Sequence, residues 1–335
     1  MNSLSWNCRG LGHPLAIPTL SELVRAHRPN FLFLCETLAK RNRVETIRSR
    51  LNFEGCFVVD CVSRSGGLCM FWKLSSSCKL LSYSSNHIDI HVFDPNGDWR
   101  LTAFYGYPDR GRRCESWSLL RCLAAANSLP WVVMGDFNDL LDPGDKRGNV
   151  SHPTWLFNGF RAATLDSGLS DVALVGYPFT WSRGLGTSHF VEERLDRAMA
   201  SDSWKTRFPG ALLCPVTATI SDHVPILLKC IASEPSSHKH RFRFENKWCM
   251  DSDLPNVIRD CWTNLSGINI IDRLSAVSES LSIWAAGRNS HERRLKRQLE
   301  ERIKRLQGRN DLLAIDSMRE AKKVLADILA REEMH

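Results

Sequence analysis

Over residues 1–231 short apolar runs alternate with amphipathic stretches, and the spacing of apolar positions switches between the two. The runs "LSWNC", "FLFLCE", "CFVVD", "GGLCMFW", "HIDIHVF", "RLTAFYGY", "WVVMGDFN", "PFTWS", "CPVTATI" and "PILLKCI" read as strands. Residues 17–27, 42–52, 114–127 and 154–166 carry apolar side chains at i, i+3 and i+4, the spacing of a helix with one buried face. Between 56 and 107 strand follows strand as in hairpins, while on either side strands and helices alternate. A two-sheet α/β sandwich accommodates both habits, and a simple doubly wound sheet only the second.

The pattern changes at "IASEPSSHKHRFRFENKW", where Pro, paired Ser and a His/Lys/Arg run read as a linker or surface crossing. Beyond about residue 280 only helical spacing remains: Leu295, Leu299, Ile303 and Leu306 form one stripe. Gly308 interrupts it, and Leu312, Ile315, Met318, Val324 and Ile328 form the next. The predicted organisation is one domain over 1–232, a linker over 233–262 and a helical, connector-like region over 263–335.

Charge changes this picture little. Of a net +7, residues 288–335 supply +4, from 13 Lys/Arg against 9 Asp/Glu, so the domain itself is only mildly basic. Acids alternate with bases on that helix (Glu292–Lys296, Glu300–Lys304, Glu301–Arg305), which favours a solvated helix over a nucleic-acid-binding one. A pI near 8.8 permits a polyanionic partner without requiring one. No stretch approaches the ~20 apolar residues of a membrane span, and "MNSLSWNCRG" lacks the apolar core of a secretory signal. The twelve cysteines include no CxxC pair, and several lie inside apolar runs. They are expected to be reduced, mostly buried thiols, with neither disulfides nor structural zinc, in an intracellular protein.

The chemistry gathers where strands end. "LSWNC" delivers Asn7 before the Arg9–Gly10 turn, "FLFLCET" delivers Glu36, and "RLTAFYGY" delivers Tyr105. "WVVMGDFN" places Asp136 and Asn138 two residues apart, on one face if the strand continues. "ERLDRAMA" contributes Asp196, and "CPVTATISDHVPI" puts Asp222 and His223 in a turn between apolar strands. Singly, each has an ordinary explanation as cap, turn or rim residue. Repeated in order, the pattern is that of ligands collecting at the carboxyl ends of strands. Carboxylates with one His and no Cys suit a hard cation, Mg²⁺ or Mn²⁺, with Glu36 as its leading ligand. Asn7 and Asn138 offer amides to phosphate oxygens, and either Asp196 or Asp222 is available to hold His223 in one tautomer. Asp136 is available to orient or deprotonate a water for in-line attack on phosphorus. Metal-dependent phosphoester hydrolysis uses all of these together, and no P-loop, dinucleotide fingerprint or GxSxG elbow competes with it.

The segments "WNCRGLG", "LFLCET", "GGLCMFWK", "FYGYP", "VVMGDFN", "DKRGN", "PFTWSRG", "FVEERLDRAMAS" and "SDHVPILL" resemble the endonuclease/exonuclease/phosphatase superfamily. The resemblance is closest to the N-terminal endonuclease domain of plant LINE-type (non-LTR) retrotransposon polyproteins and runs unbroken to about residue 230. It implies a four-layer, DNase I-like sandwich and a Mg²⁺-dependent endonuclease that nicks one DNA strand, leaving a 3′-hydroxyl. It also implies roles. Glu36 and Asn7 arrange the metal with Asp222 near it, and Asp136 acts on the water. Asn138, His223 and Tyr105 contact phosphate, and Asp196 orients His223. Thr180 lies near the scissile bond, and Arg9 and Ser221 complete the expected substrate contacts. "RFRFENKW" and the helices resemble the connector before a reverse transcriptase. No such segment is expected to act here, so the chain is read as a piece or remnant of the polyprotein, unable to copy RNA. A DNA substrate implies a nuclear location. Two alternatives accompany this reading: another phosphoesterase of the superfamily, such as an abasic-site endonuclease, a deadenylase-like RNase or a phosphoinositide phosphatase; or a non-catalytic interaction protein. The oligomeric state is left open by the sequence.

Overall fold

The computed structural model describes residues 1–62, 65–73, 78–230, 244, 248–249, 252–264 and 269–333. The chain opens with β1 (Asn2–Asn7), α1 (Ala16–His27), β2 (Phe31–Cys35), α2 (Arg41–Arg50), β3 (Gly55–Val59) and β4 (Leu68–Trp72). It continues through β5 (Cys78–Ser84), β6 (His87–Val92), β7 (Trp99–Tyr105), α3 (Arg113–Ala126), β8 (Trp131–Asp136), β9 (Lys146–Arg147) and α4 (Thr154–Asp166). Then follow β10 (Ser170–Asp171), β11 (Trp181–Arg183), β12 (Val191–Glu193), β13 (Asp196–Ala200), α5 (Asp202–Arg207), β14 (Leu212–Pro215) and β15 (Ile226–Lys229). Three helices close the chain: α6 (Leu254–Asn264), α7 (Ile270–Leu306) and α8 (Leu312–Glu333).

Among the described residues the strands form two six-stranded sheets, β14-β15-β1-β2-β4-β3 and β10-β13-β8-β7-β6-β5, and a small sheet β11-β12-β9. Each large sheet contains one parallel pair, β1 with β2 and β7 with β8. Strand alternation decides what each face does. On β2, Phe31, Phe33 and Cys35 enter the core between the sheets, while Leu32 and Leu34 pack outward with α1 and α2 residues Leu20, Leu23, Val44 and Ile47. On β8, Val132 and Met134 point inward, and Trp131 and Val133 pack outward with Trp117, Leu120, Leu156 and Phe160 of α3 and α4. The layers are therefore helices, sheet, sheet, helices: the four-layer α/β sandwich expected. Burying a side chain such as Phe33 or Met134 contributes ~1.5–3 kcal/mol, and a continuous inter-sheet core of such residues holds the two sheets together.

By compactness the chain divides into two units, Met1–Ala232 with Leu306–Ser317, and Ser233–Arg305 with Met318–His335. In the second unit Leu299 and Ile303 of α7 pack with Ala321, Leu325, Ile328 and Leu329 of α8, and Lys296 pairs with Glu332. α6 begins inside the stretch read as a linker, whose first half lies largely outside the described residues. Among the described residues no helix is long and apolar enough to cross a membrane.

Candidate active site

The inner faces of β7, β8 and β13 are apolar except at the residue that reaches one rim, whereas β1 carries the buried Ser3 and Ser5 inward before Asn7. On β8, Asp136 follows Val132 and Met134 in the same alternation; on β7, Tyr105 follows Leu101 and Ala103. On β13, Asp196 precedes Ala198 and Ala200, and across the gap Asn7 ends β1. The register aligns them: Asp136 pairs with Tyr105 on one side and Asp196 on the other. One end of the inter-sheet core is thus closed by polar side chains from both sheets. Gly135 allows this packing, because a Cβ there would lie 1.9 Å from the Phe104 carbonyl oxygen.

Glu36 reaches the site differently. Continued alternation would turn it outward with Leu32 and Leu34, but β2 stops at Cys35 and Glu36 takes φ 51°. Arg9 (φ 51°), Asn138 (φ 54°) and Ser221 (φ 72°) share this left-handed conformation. Each such non-glycine residue costs on the order of 1–3 kcal/mol, and their clustering around one group of polar side chains marks where the fold tolerates strain.

The groups join in one network of hydrogen bonds and ion pairs. The Asn7 side-chain NH₂ donates to Glu36 Oε1 at 2.8 Å and Asp136 Oδ2 at 3.0 Å. Tyr105 OH donates to Glu36 Oε1 at 2.9 Å. The Asn138 backbone N–H donates to Asp136 Oδ1 at 2.9 Å, and its side-chain amide donates to the Gly106 carbonyl at 3.0 Å. His223 Nδ1 lies 2.9 Å from Asp196 Oδ2, and Nε2 lies 3.8 Å from Asp136 Oδ2. The Arg9 guanidinium spans two carboxylates, Glu36 at 3.2 Å and Asp222 at 2.9 Å. Asp222 also accepts from the Trp181 indole at 2.7 Å.

Burial raises the pKa of the Asp136 carboxyl and Asp196 adds to the rise, against the opposing pull of His223, Asn7 and Asn138. Burial alone would lower the His223 imidazole; Asp196 and Asp136 outweigh it and lift its pKa to about 9. Burial and the nearby Glu36 and Asp136 push the Tyr105 phenol far up, so it remains a donor. Partial burial opposes ionisation of Asp222, yet the Arg9 guanidinium and His223 hold its carboxyl below the usual range.

The structure thus brings Asn7, Arg9, Glu36, Tyr105, Asp136, Asn138, Asp196, Asp222 and His223 together, and it resolves the choice left open for His223: Asp196 is the residue on its Nδ1. Other placements differ from expectation. β8 ends at Asp136, so Asn138 owes its position to the left-handed turn and not to strand alternation. Thr180 has no exposed surface; its hydroxyl accepts the N–H groups of Leu195 and Asp196, at 3.1 and 2.9 Å. As placed, it supports the start of β13. The Ser221 hydroxyl donates to the Asn7 carbonyl and accepts from the His223 N–H, stapling the Asp222–His223 turn to β1. Asn7 turns its NH₂, not its oxygen, toward the carboxylates. Two residues went unnoticed in the sequence. Trp181 binds Asp222, and Trp6 donates to the His223 carbonyl at 3.2 Å. Their signal was an indole beside a strand-end site residue, in "FTW" and "SWN".

A profile of the endonuclease/exonuclease/phosphatase family matches residues 4–223, the span that contains every one of these side chains. The chain belongs to that family. Its members are in general divalent-metal dependent, and membership makes the chain by class a phosphoesterase or nuclease. None of the curated proteins matches the chain at a significant level. Among solved structures it is similar to the 3′-5′ exonuclease of Neisseria meningitidis (16% identity, TM-score 0.53, 68% of this chain and 99% of that one). It is also similar to an AP endonuclease of Leishmania major (17% identity, TM-score 0.50, 68% and 86%). A further similar structure is the endonuclease domain of a telomere-specific non-LTR retrotransposon (12% identity, TM-score 0.49, 68% and 96%). At such identities likeness establishes the DNase I-like fold alone. Among the described residues, Asp136, Asp196 and His223 of this family member form a group able to hold a metal, their ligand atoms within 4.8 Å of one another.

Proposed function

We propose that the protein is a Mg²⁺-dependent DNA endonuclease of the retrotransposon type, nicking one strand to leave a 3′-hydroxyl and a 5′-phosphate. The observation that carries the reading is the continuous network from Glu36 through Asn7, Asp136 and His223 to Asp196, joined by hydrogen bonds and by the 3.8 Å ion pair of Asp136 with His223, and built from five separate chain segments at one rim. The retrotransposon assignment draws on the sequence motifs and implies action in the nucleus. The catalytic domain is taken as 1–232, with the segment beyond 262 as its connector.

The donor set fits a hard cation. Glu36 and Asp222 are carboxylates already bridged by a guanidinium, so the space between them attracts positive charge. Oxygen donors favour Mg²⁺, with Mn²⁺ a substitute, over softer metals. Glu36 and Asp222 would hold the ion, with Asn7 beside them, and when bound it stabilises charge on the leaving oxygen. The chain's own groups do the rest. Asp136, fixed by Asn7 and the Asn138 N–H, orients and deprotonates the attacking water. Asp196 occupies His223 Nδ1, which leaves Nε2 to bind a phosphate oxygen. Tyr105 and Asn138 add neutral donors, and Arg9 is poised to leave its carboxylates for the phosphate backbone.

Plasmid nicking by the purified chain tests this. Supercoiled DNA should relax to the open circle with Mg²⁺, stay intact in EDTA, and yield nicks that a DNA polymerase extends without prior end repair. A folded protein that leaves the plasmid supercoiled, or nicks that cannot be extended, would overturn the proposal.

A further inference from the structure

The segment Leu306–Ser317, from the end of α7 into the first turn of α8, belongs to the same compact unit as the sheets. It docks on the loop 184–190 that joins β11 to β12. Asn310 brackets the tip of that loop: its Oδ1 accepts the Gly186 N–H at 2.7 Å, and its NH₂ donates to the Thr187 carbonyl at 3.4 Å. Beside it, the Gly308 carbonyl accepts from Arg147 Nη1 at 3.3 Å. Arg147 is itself paired with Glu192 of β12 at 3.1 Å, and Glu192 accepts from the Tyr177 hydroxyl at 2.6 Å. Gly308 has φ 76°, and a Cβ there would fall 2.3 Å from the Tyr177 hydroxyl oxygen, so the close fit needs glycine. The Gly308 that interrupts the helical stripe in the sequence therefore makes a contact with the sandwich as well as a turn.

What the segment holds is next to the site. Ser188, His189 and Phe190 of the loop line a cleft of about 510 Å³ together with Arg110, Lys146 and Trp181. Trp181 is the residue whose indole binds Asp222, so cleft and catalytic rim share a wall. Glu193 also lines it and pairs with Lys146, but Arg110 and Arg183 keep the lining basic, and with Trp181 and Phe190 it suits a nucleic-acid strand, which binds through phosphate contacts and base stacking. From these contacts we infer that the α7–α8 turn is a positioning element for substrate recognition, with Asn310 fixing the β11–β12 loop in the form that receives DNA and Gly308 seating the turn against Arg147, the partner of Glu192 on β12. The inference rests on the nuclease reading for its substrate, but the clamp itself does not.

The test uses the full chain and Asn310→Ala, with Asn310→Asp, which keeps the acceptor for Gly186, as the conservative partner. Amide hydrogen exchange in a peptide covering 183–191 should speed up about fivefold in Asn310→Ala, as for loss of one net hydrogen bond, and return toward wild type in Asn310→Asp. KM for duplex nicking should rise by a similar factor and the distribution of nick positions should broaden. Hydrolysis of bis(p-nitrophenyl) phosphate, which does not reach the loop, should not change. Unaltered exchange in Asn310→Ala would overturn the clamp. Faster exchange with unaltered duplex KM and nick distribution would overturn its role in recognition. If wild type cleaves neither DNA nor the small diester, the nuclease reading fails, and the exchange result alone then decides the clamp.

Discussion

Two clusters of charge lie within the sandwich, and they differ in balance. On the outer face of β6 and β7, Arg100 and Asp89 form an ion pair at 2.8 Å with almost no exposed surface. Thr102 donates to Asp89, the Trp131 indole donates to Thr102, and Arg100 also reaches the Leu123 carbonyl. One acid meets one base and the cluster is closed. At the inner rim, among the described residues, Glu36, Asp136, Asp196 and Asp222 pair with two basic side chains, Arg9 and His223. Desolvating carboxylates without matching cations is costly, and that cost persists only where something else supplies the charge. A balanced cluster holds a sheet together; an acid-rich one, on strained backbone, is built for a cation and for work on another molecule.

Substitution should separate the two. Asp136→Ala is expected to lower nicking ~10³-fold. It should leave stability nearly unchanged, because burial, the largest influence on this carboxyl, opposes its charge and offsets the loss of its contacts with His223, Asn7 and Asn138. Asp89→Ala should do the reverse: a loss of ~3–5 kcal/mol, since Arg100 is left buried without its partner, with normal nicking by the protein that remains folded. Urea unfolding and plasmid relaxation on both variants read the two effects. An Asp136→Ala protein that unfolds early, or an Asp89→Ala protein that is stable and inactive, would erase the distinction.

The same contrast explains how far the sequence could be read. Apolar runs ending in one polar residue were visible, so β1, β2, β7 and β8 and their terminal Asn7, Glu36, Tyr105 and Asp136 could be named from residue order. β13, "DRAMA", could not. It is buried along its whole length, yet begins with Asp196 and Arg197, which reads as surface. Both charges are tolerated there because distant partners meet them: His223 for Asp196, and Asp171 and Asp145 for Arg197. Nor does alternation predict Glu36, whose direction depends on one left-handed residue, or the buried support that the Thr180 hydroxyl gives to the start of β13. The seats of Asn310 on the β11–β12 loop and of Gly308 on Arg147 each span more than a hundred residues, beyond any local pattern.

A subtler comparison lies within the acid-rich cluster, between Asp196 and Asp136. If Asp196 acts through His223, Asp196→Asn with His223→Ala should nick no more slowly than His223→Ala alone, as groups acting as a unit are non-additive. Additive losses would separate them. The pair also has a signature in stability. With its pKa lifted to about 9, His223 binds its proton more tightly in the folded chain than in the unfolded one. The resulting stability is fully present below a free imidazole's pKa of ~6.5 and is lost as pH rises through the folded value. In EDTA, Tm should fall across that window, and Asp196→Asn should flatten the slope. A level wild-type Tm from neutral pH upward would show that the imidazole is uncharged.

The most direct test of the acid excess needs no DNA. Mn²⁺ titrated into the EDTA-stripped chain, followed by calorimetry and by Tm, should bind one ion per chain and raise Tm with concentration, as expected when a ligand binds only the folded state. Glu36→Gln, which keeps the shape but removes one carboxylate charge from the space Arg9 now spans, should weaken that binding about tenfold and shrink the Tm rise. Equal Tm with and without Mn²⁺ in a folded wild-type chain, or binding indifferent to Glu36→Gln, would contradict the claim that these carboxylates are assembled for a metal.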